Sequence, residues 1–188
     1  MDSINFMANH IKNVDIARKY YGKYKPCKVS LVEFDPINKN DINAIYKTTD
    51  NWDASFTAFT YDDMRNVNEN KELMSNLHVY ALTTQNSNFQ RMVSSKILGV
   101  VEVVNTYSKG NKIEVLQTNP DMIKDSFNKS PRYKHIGQAL VSFVKEKFSD
   151  KPLFLHPTKT AVSFYKKLGF EFDSKIEKNN TMCIYPKS

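Results

Sequence analysis

Lys134-His135-Ile136-Gly137-Gln138-Ala139-Leu140 opens the most strongly patterned helix of the chain. Ile136, Leu140, Val144 and Phe148 recur at every fourth position with Val141 beside them, which predicts a helix over 135–148. Its start is unusual. No Ser, Thr, Asp or Asn stands where a cap belongs, and the first turn holds no acidic residue. The first amides of a helix need partners, and the side chains around these are Arg132, Lys134 and His135. An uncapped, positively flanked helix N-terminus that follows a strand suits a phosphate group. Gly137 lets a ligand approach the backbone, and the small Ala139 keeps the path clear. Water satisfies the same amides equally well, so this motif alone leaves a purely structural reading open.

A second segment runs Ala161-Val162-Ser163-Phe164-Tyr165-Lys166-Lys167-Leu168-Gly169-Phe170. Ala161, Tyr165 and Leu168 share one helical face. Gly169 stands as the left-handed residue after the helix, with Phe170 folding back as its apolar contact. Alone, this is a core helix with an amphipathic Tyr. In this order, about 27 positions apart, the two segments together resemble the GNAT superfamily of acetyl-CoA-dependent N-acetyltransferases. That family reads Gln/Arg-x-x-Gly-x-Gly/Ala at its pyrophosphate loop, where Lys134 to Ala139 stand here. It reads Ala-x-x-x-Tyr-x-x-x-Gly-Phe on its last helix, matched by Ala161, Tyr165, Gly169 and Phe170. The strand Ile113 to Pro120 resembles the family strand that ends in His-Pro or Asn-Pro. The resemblance covers 29–186 and is specific at 112–170.

The resemblance implies an α/β fold of the mixed α+β kind. A mixed central sheet carries flanking helices, and the parallel strands at 112–118 and 152–156 splay apart to admit pantetheine. Acetyl-CoA is then the implied cosubstrate, held by Leu116, Thr118, Lys134, His135, Ile136, Gly137, Gln138, Ala139 and Thr158. The chain departs from the family pattern in three places. Lys134 replaces Gln or Arg, which loses a bidentate fork but keeps the charge. Thr158 stands where an Asn is common. The connection from Pro120 to Lys134 is longer than usual.

The implied reaction is acetyl transfer to an amine, either a small cationic amine or a protein amine, by direct attack in a ternary complex. Tyr165 is the implied acid, since a phenol of ordinary pKa about 10 can protonate a departing thiolate. A backbone amide near Leu116 or Thr118 would hold the oxyanion. For the base, Glu114 is the first candidate and Glu102 the second, and a water chain serves relatives that lack both. Asn105, His78 and His156 are read as structural. Two other readings stay open: a toxin that acetylates charged tRNA, which the basic N-terminal extension keeps open, and a non-catalytic CoA-binding regulator.

The rest of the chain frames these motifs. Its 188 residues, 40% hydrophobic and 25% charged, are the material of one globular domain. No apolar run approaches the roughly 18 residues of a membrane span, and the first residues lack the pattern of a secretory leader. Cys27 and Cys183 show neither disulfide nor metal-ligand spacing. A cytoplasmic protein with no metal and no membrane partner is expected. Residues 1–28 read as a basic extension with a short helix over 11–21, and residues 29–188 as the GNAT-like domain. Strands are expected at 28–34, 78–84, 97–105, 112–118, 152–157 and 180–186, with helices at 41–48, 61–76 (opened by Asp62 and Asp63) and 160–170.

Net charge is +4 over residues 1–30, −4 over 31–128 and +7 over 129–188. The acidic middle contains Asp41, Asp50, Asp53, Asp62, Asp63, Glu69 and Glu72. This split favours a cationic amine as acceptor. Along the sequence the basic residues lack the aromatic interleaving of a nucleic-acid platform, so no nucleic-acid partner is expected beyond the tRNA of the toxin reading.

Overall fold

Val79 to Leu82 and Ile97 to Val103 are apolar at almost every position, a pattern that demands cover on both faces of a sheet. The computed structural model, which describes residues 8–52, 55–70, 76–106, 108–120, 131–173 and 180–186, supplies that cover. In chain order the strands are β1 (Asn9–Tyr20), β2 (Lys23–Phe34), β3 (Leu77–Thr83), β4 (Ile97–Asn105), β5 (Asn111–Thr118), β6 (Tyr133–Lys134), β7 (Leu153–Leu155), β8 (Glu171–Phe172) and β9 (Met182–Ile184). The helices are α1 (Lys39–Trp52), α2 (Ser55–Glu69), α3 (Ile136–Lys147) and α4 (Val162–Lys167). All nine strands form one mixed sheet in the order β6-β1-β2-β3-β4-β5-β7-β9-β8. Its pairs are antiparallel except β5 with β7, which run parallel as expected.

Two cores lie on the two faces. Ile42, Ile45 and Trp52 of α1 and Met64 and Val67 of α2 pack on Val79, Ala81 and Val100. Ile136, Leu140 and Val144 of α3, with Tyr165 of α4, pack on Leu82, Val101, Val103 and Leu155. No helix among the described residues is long and apolar enough to cross a membrane.

The N-terminal stretch differs from expectation. Residues 11–21 are not a helix but most of β1, and the strand expected from Lys28 begins at Lys23. Ile11, Val14 and Ile16 cover less than a helical face, and of these only Ile16 is fully buried. The backbone is satisfied instead by a long antiparallel ladder to β2, from Asn9↔Glu33 to Tyr20↔Lys23. Tyr21 and Gly22 close it with φ of 45° and 81°, the positive pair of a type I′ turn. From Asn9 onward, the residues read as an extension are therefore strands of the common sheet.

The second helix also starts earlier than the charge pattern suggests. Asp62 and Asp63 stand inside α2 rather than at its opening, and residues 71–75 of the expected range lie outside the described residues. So do 121–130, most of the long connection before α3. The polar stretch 85–95 is a loop, as expected. It is organised by Gln85, whose amide donates to the carbonyls of Ser87, Asn88 and Arg91 and accepts from the Val93 amide.

The seating of α3 depends on Gly99 in β4. A Cβ there would lie 2.6 Å from Ile136 Cγ2 and 3.1 Å from Leu140 Cδ1. Gly99→Val should therefore cost about 1–3 kcal/mol through overpacking. Thermal denaturation should show Tm falling by roughly 2–12 °C for a chain of this size.

Candidate functional site

The site begins where the sheet comes apart. β5 pairs with β7 only at Asn111↔Leu153, Lys112↔Phe154 and Ile113↔Leu155. At the next residue β5 bulges: Glu102 of β4 faces Val115, Val103 faces Ile113, and Glu114 is the extra residue between. Beyond the bulge, the Asn119 amide donates to the Leu98 carbonyl at 2.9 Å. Antiparallel ladders alternate, so Gln117 and Val115 also turn their N–H and C=O toward β4. Leu116 and Thr118 turn theirs the other way, into the gap that β7 has left. The gap is a cleft of about 780 Å³, lined by 113–118 of β5, Pro131, 133–138, and 155–165 apart from Lys159, Val162 and Ser163.

One wall is the start of α3. His135 precedes it in the left-handed region, at φ 69° and ψ 13°, with no side-chain cap to the helix amides. Its Nδ1 lies 3.2 Å from Gln138 Oε1. The first helical bond runs from the Ala139 amide to the His135 carbonyl at 2.9 Å, so the amides of Ile136, Gly137 and Gln138 precede the ladder. A Cβ on Gly137 would lie 3.4 Å from Phe164 Cζ, 3.8 Å from Thr118 Cγ2 and 3.9 Å from Leu116 Cδ2. Glycine thus keeps open the narrow passage between α3, α4 and the free edge of β5. The approach to α3 is held from outside: the Lys19 amide donates to the Arg132 carbonyl at 2.8 Å, and Tyr24 Oη donates to the Pro131 carbonyl at 2.6 Å. Two ladder pairs, Ala17↔Lys134 and Arg18↔Tyr133, tie β6 to β1.

The opposite wall is α4, entered through a 3₁₀ turn at Lys159–Ala161. It ends as its sequence predicts. The Phe170 amide donates to the Tyr165 carbonyl and the Gly169 amide to Lys166, with Gly169 at φ 88°. That is a Schellman motif, and Phe170 packs its ring 5.7 Å from that of Tyr165. Tyr165 is only 7% exposed, and burial pushes its phenol up to about 12. It is a neutral hydrogen-bond donor at any physiological pH.

Of the residues read as site residues, Glu114, Leu116, Thr118, Lys134, His135, Ile136, Gly137, Gln138, Thr158 and Tyr165 all line this one cleft. Ala139 does not; it faces a second groove, between α3 and the β1–β2 hairpin. His156 also lines the cleft, with Nε2 3.1 Å from Thr181 Oγ1. His78 is away from it, with Nδ1 3.3 Å from Glu33 Oε1. Phe164 was missed, although its place three residues after Ala161 puts it on the cleft side of α4. Gly99 was missed as well, because nothing in its strand marks the helix it admits.

Two carboxylates adjoin at the bulge. Glu114 Oε2 lies 2.7 Å from Lys112 Nζ and faces the cleft. Glu102 is fully buried, with the Thr60 hydroxyl and the Asp63 carboxyl beside its own. Burial, with Asp63 and Glu114 close by, pushes it up to about 8, while Thr60 opposes the shift. Of the acidic stretch, Asp63 reaches this place. Asp41 is buried elsewhere and accepts from the Asp35 amide. Glu69 lies 3.7 Å from Arg65, and Asp53 and Glu72 lie outside the described residues.

No protein-family model and no curated protein sequence matches the chain. Solved structures do. A Desulfovibrio desulfuricans protein assigned to the GNAT acetyltransferase family superposes with a TM-score of 0.52 at 13% identity, over 82% of this chain and 96% of that one. The Bacillus subtilis N-acetyltransferase YlbP, solved with coenzyme A, matches at TM-score 0.45 and 18% identity, over 75% and 91% of the two chains. The likeness is one of fold, and the fold of this chain is that of the GNAT acetyltransferases.

The buried Glu102 makes stability pH-dependent in a definite direction. Its folded pKa lies above the unfolded value, so its contribution is full below about pH 4.5 and is lost as pH rises toward 8. Glu102→Gln removes the ionisation. Thermal melts of the two proteins should diverge between about pH 5 and pH 8, with the Gln variant losing less Tm.

Proposed function

We propose that the protein is an N-acetyltransferase that takes acetyl-CoA into the cleft between β5 and β7 and passes the acetyl group to a cationic amine. The observation that carries this reading is a convergence within one cleft. A strand edge without a strand partner among the described residues, a helix N-terminus without a side-chain cap and a neutral phenol all face the same space. The residues fit the cosubstrate. Exposed strand edges pair with extended ligands, which suits an amide-bearing pantetheine chain beside Leu116 and Thr118. The amides of 136–138 suit a pyrophosphate, with Lys134 and His135 adding donors. Gly137 holds open space that a side chain would fill.

Acetyl-CoA, when bound, supplies an acyl group activated as a thioester. The chain's own residues do the rest. The Leu116 or Thr118 amide stabilises negative charge developing on the acyl oxygen. Tyr165 gives its proton to the departing thiolate. Glu114, or a water held by it, receives the proton of the amine. Glu114, with Asp63 behind the buried and largely protonated Glu102, sets carboxylates at this end of the cleft against the single cation Lys112, which favours an ammonium group over an acidic acceptor.

CoA at a hundredfold excess over its Kd should stabilise the fold by about 2.7 kcal/mol. Gly137→Glu should abolish that thermal shift, and an unchanged shift would remove the cofactor assignment. Tyr165→Phe should bind CoA normally and lose about 100- to 10,000-fold in kcat. Wild-type turnover in that variant would hand the acid role to water. Over a panel of amines graded by charge, cationic acceptors should give the highest kcat/KM, falling as salt screens the field. A flat salt response would refute the cationic preference. CoA binding with no transfer to any amine would leave a CoA-binding regulator.

A further inference from the structure

The β1–β2 hairpin carries a surface that the cleft does not use. Between Ile16 and Val29 lie Arg18, Lys19, Lys23, Lys25 and Lys28 with Tyr20, Tyr21 and Tyr24, and no acidic residue. Along the sequence they form one basic, Tyr-rich run from Arg18 to Lys28. The ladder register assembles them. Arg18 faces Lys25, Lys19 faces Tyr24 and Tyr20 faces Lys23 across the hairpin. The Arg18 guanidinium stands 4.9 Å from the Tyr20 ring and 5.6 Å from the Tyr133 ring, and Lys134 Nζ stands 3.9 Å from the Tyr24 ring. Arg18, Tyr20, Lys23 and Lys25 thus share one face of the hairpin, and Lys19, Tyr24 and Lys134 the other.

The tip is the telling position. Tyr21 is fully exposed and buries nothing in the fold, yet it occupies the first left-handed position of the turn. Asn, Asp or Gly is strongly preferred there, and a bulky residue with positive φ is an outlier. An exposed aromatic ring held in disfavoured backbone, at the apex of a basic hairpin, has no structural role to explain it. Tyr20 beside it is 38% exposed.

We infer that this hairpin binds single-stranded nucleic acid, stacking Tyr21 and Tyr20 on bases while Arg18, Lys23 and Lys25 meet phosphates. Flat rings that accept any base, interleaved with cations, are the chemistry of such platforms. An acidic peptide would use the charges but not the free rings, and a base-paired duplex hides the base faces that the rings require. The inference does not depend on what the cleft binds.

The test is fluorescence anisotropy with a labelled single-stranded RNA of mixed sequence, about 12 nucleotides long, within the site sizes of such surfaces. Saturable binding is expected at about 50 mM salt, with log K falling against log salt by about 0.7 per phosphate contact. Lys23→Gln should lower that slope by about the same amount. Tyr21→Asn is the deciding variant, because Asn suits the turn and keeps the hairpin folded, as an unchanged or higher Tm will show. It should weaken binding about 5-fold or more. The same RNA annealed to its complement, and phosphatidylserine vesicles, should bind more weakly than the single strand. No saturable binding, wild-type affinity in Tyr21→Asn, or equal binding of duplex or vesicles would each overturn the inference.

Discussion

After Ile113, β5 parts from β7 and leaves the free edge around which the cleft is built. Backbone donors and acceptors buried without partners are costly, and strands inside a sheet normally avoid that. Here the bulge at Glu114 bends β5 away. Beyond it, Leu116 and Thr118 present a short ladder that no strand of the described chain completes. A free edge inside a cleft is protected from aggregation, yet it is ready for an extended ligand. The uncapped start of α3 adds a second set of unsatisfied donors at one end of this edge. The cleft is thus defined by backbone groups more than by side chains.

Holding that geometry falls to residues far away in the sequence. Gly99 in β4 lets Ile136 and Leu140 come close enough to seat the helix start against the sheet. From the other side, the N-terminal hairpin grips the segment leading into α3. Tyr24 holds Pro131, the Lys19 amide holds the Arg132 carbonyl, and β1 pairs with Tyr133 and Lys134. One short stretch, 131–138, is therefore fixed by strands from the first quarter of the chain and by the centre of the sheet. His135 in its left-handed conformation is the joint between these two restraints.

The C-terminal half was legible because its signals are local. The fourfold spacing of Ile136 to Phe148 and the Gly169-Phe170 stop of α4 are each read within a few residues. The resemblance these motifs carry then located the cleft. Where long-range pairing decides, the sequence was misleading. Ile11, Val14 and Ile16 suit a short helix or a strand, and the ladder to β2 chose the strand. Tyr21-Gly22 lacks the Asn-Gly form that announces a hairpin. Asp62 and Asp63 look like a helix opening but lie within α2. The closeness of Asp63, Glu102 and Glu114, like that of Arg18 and Tyr133, is set by sheet register and by packing across the sheet, which no local pattern records.

The central claim is that the backbone edge of β5 and the start of α3 receive one extended, phosphate-bearing ligand. Amide chemical shifts in a titration with CoA test it most directly, because they report the donors themselves. Coupled, saturating shifts are expected at Leu116, Thr118, Ile136, Gly137 and Gln138, with Val115 and Gln117, whose amides face β4, moving far less. Shifts confined to the helix start would contradict the paired strand edge, and shifts centred elsewhere on the fold would contradict the site as a whole.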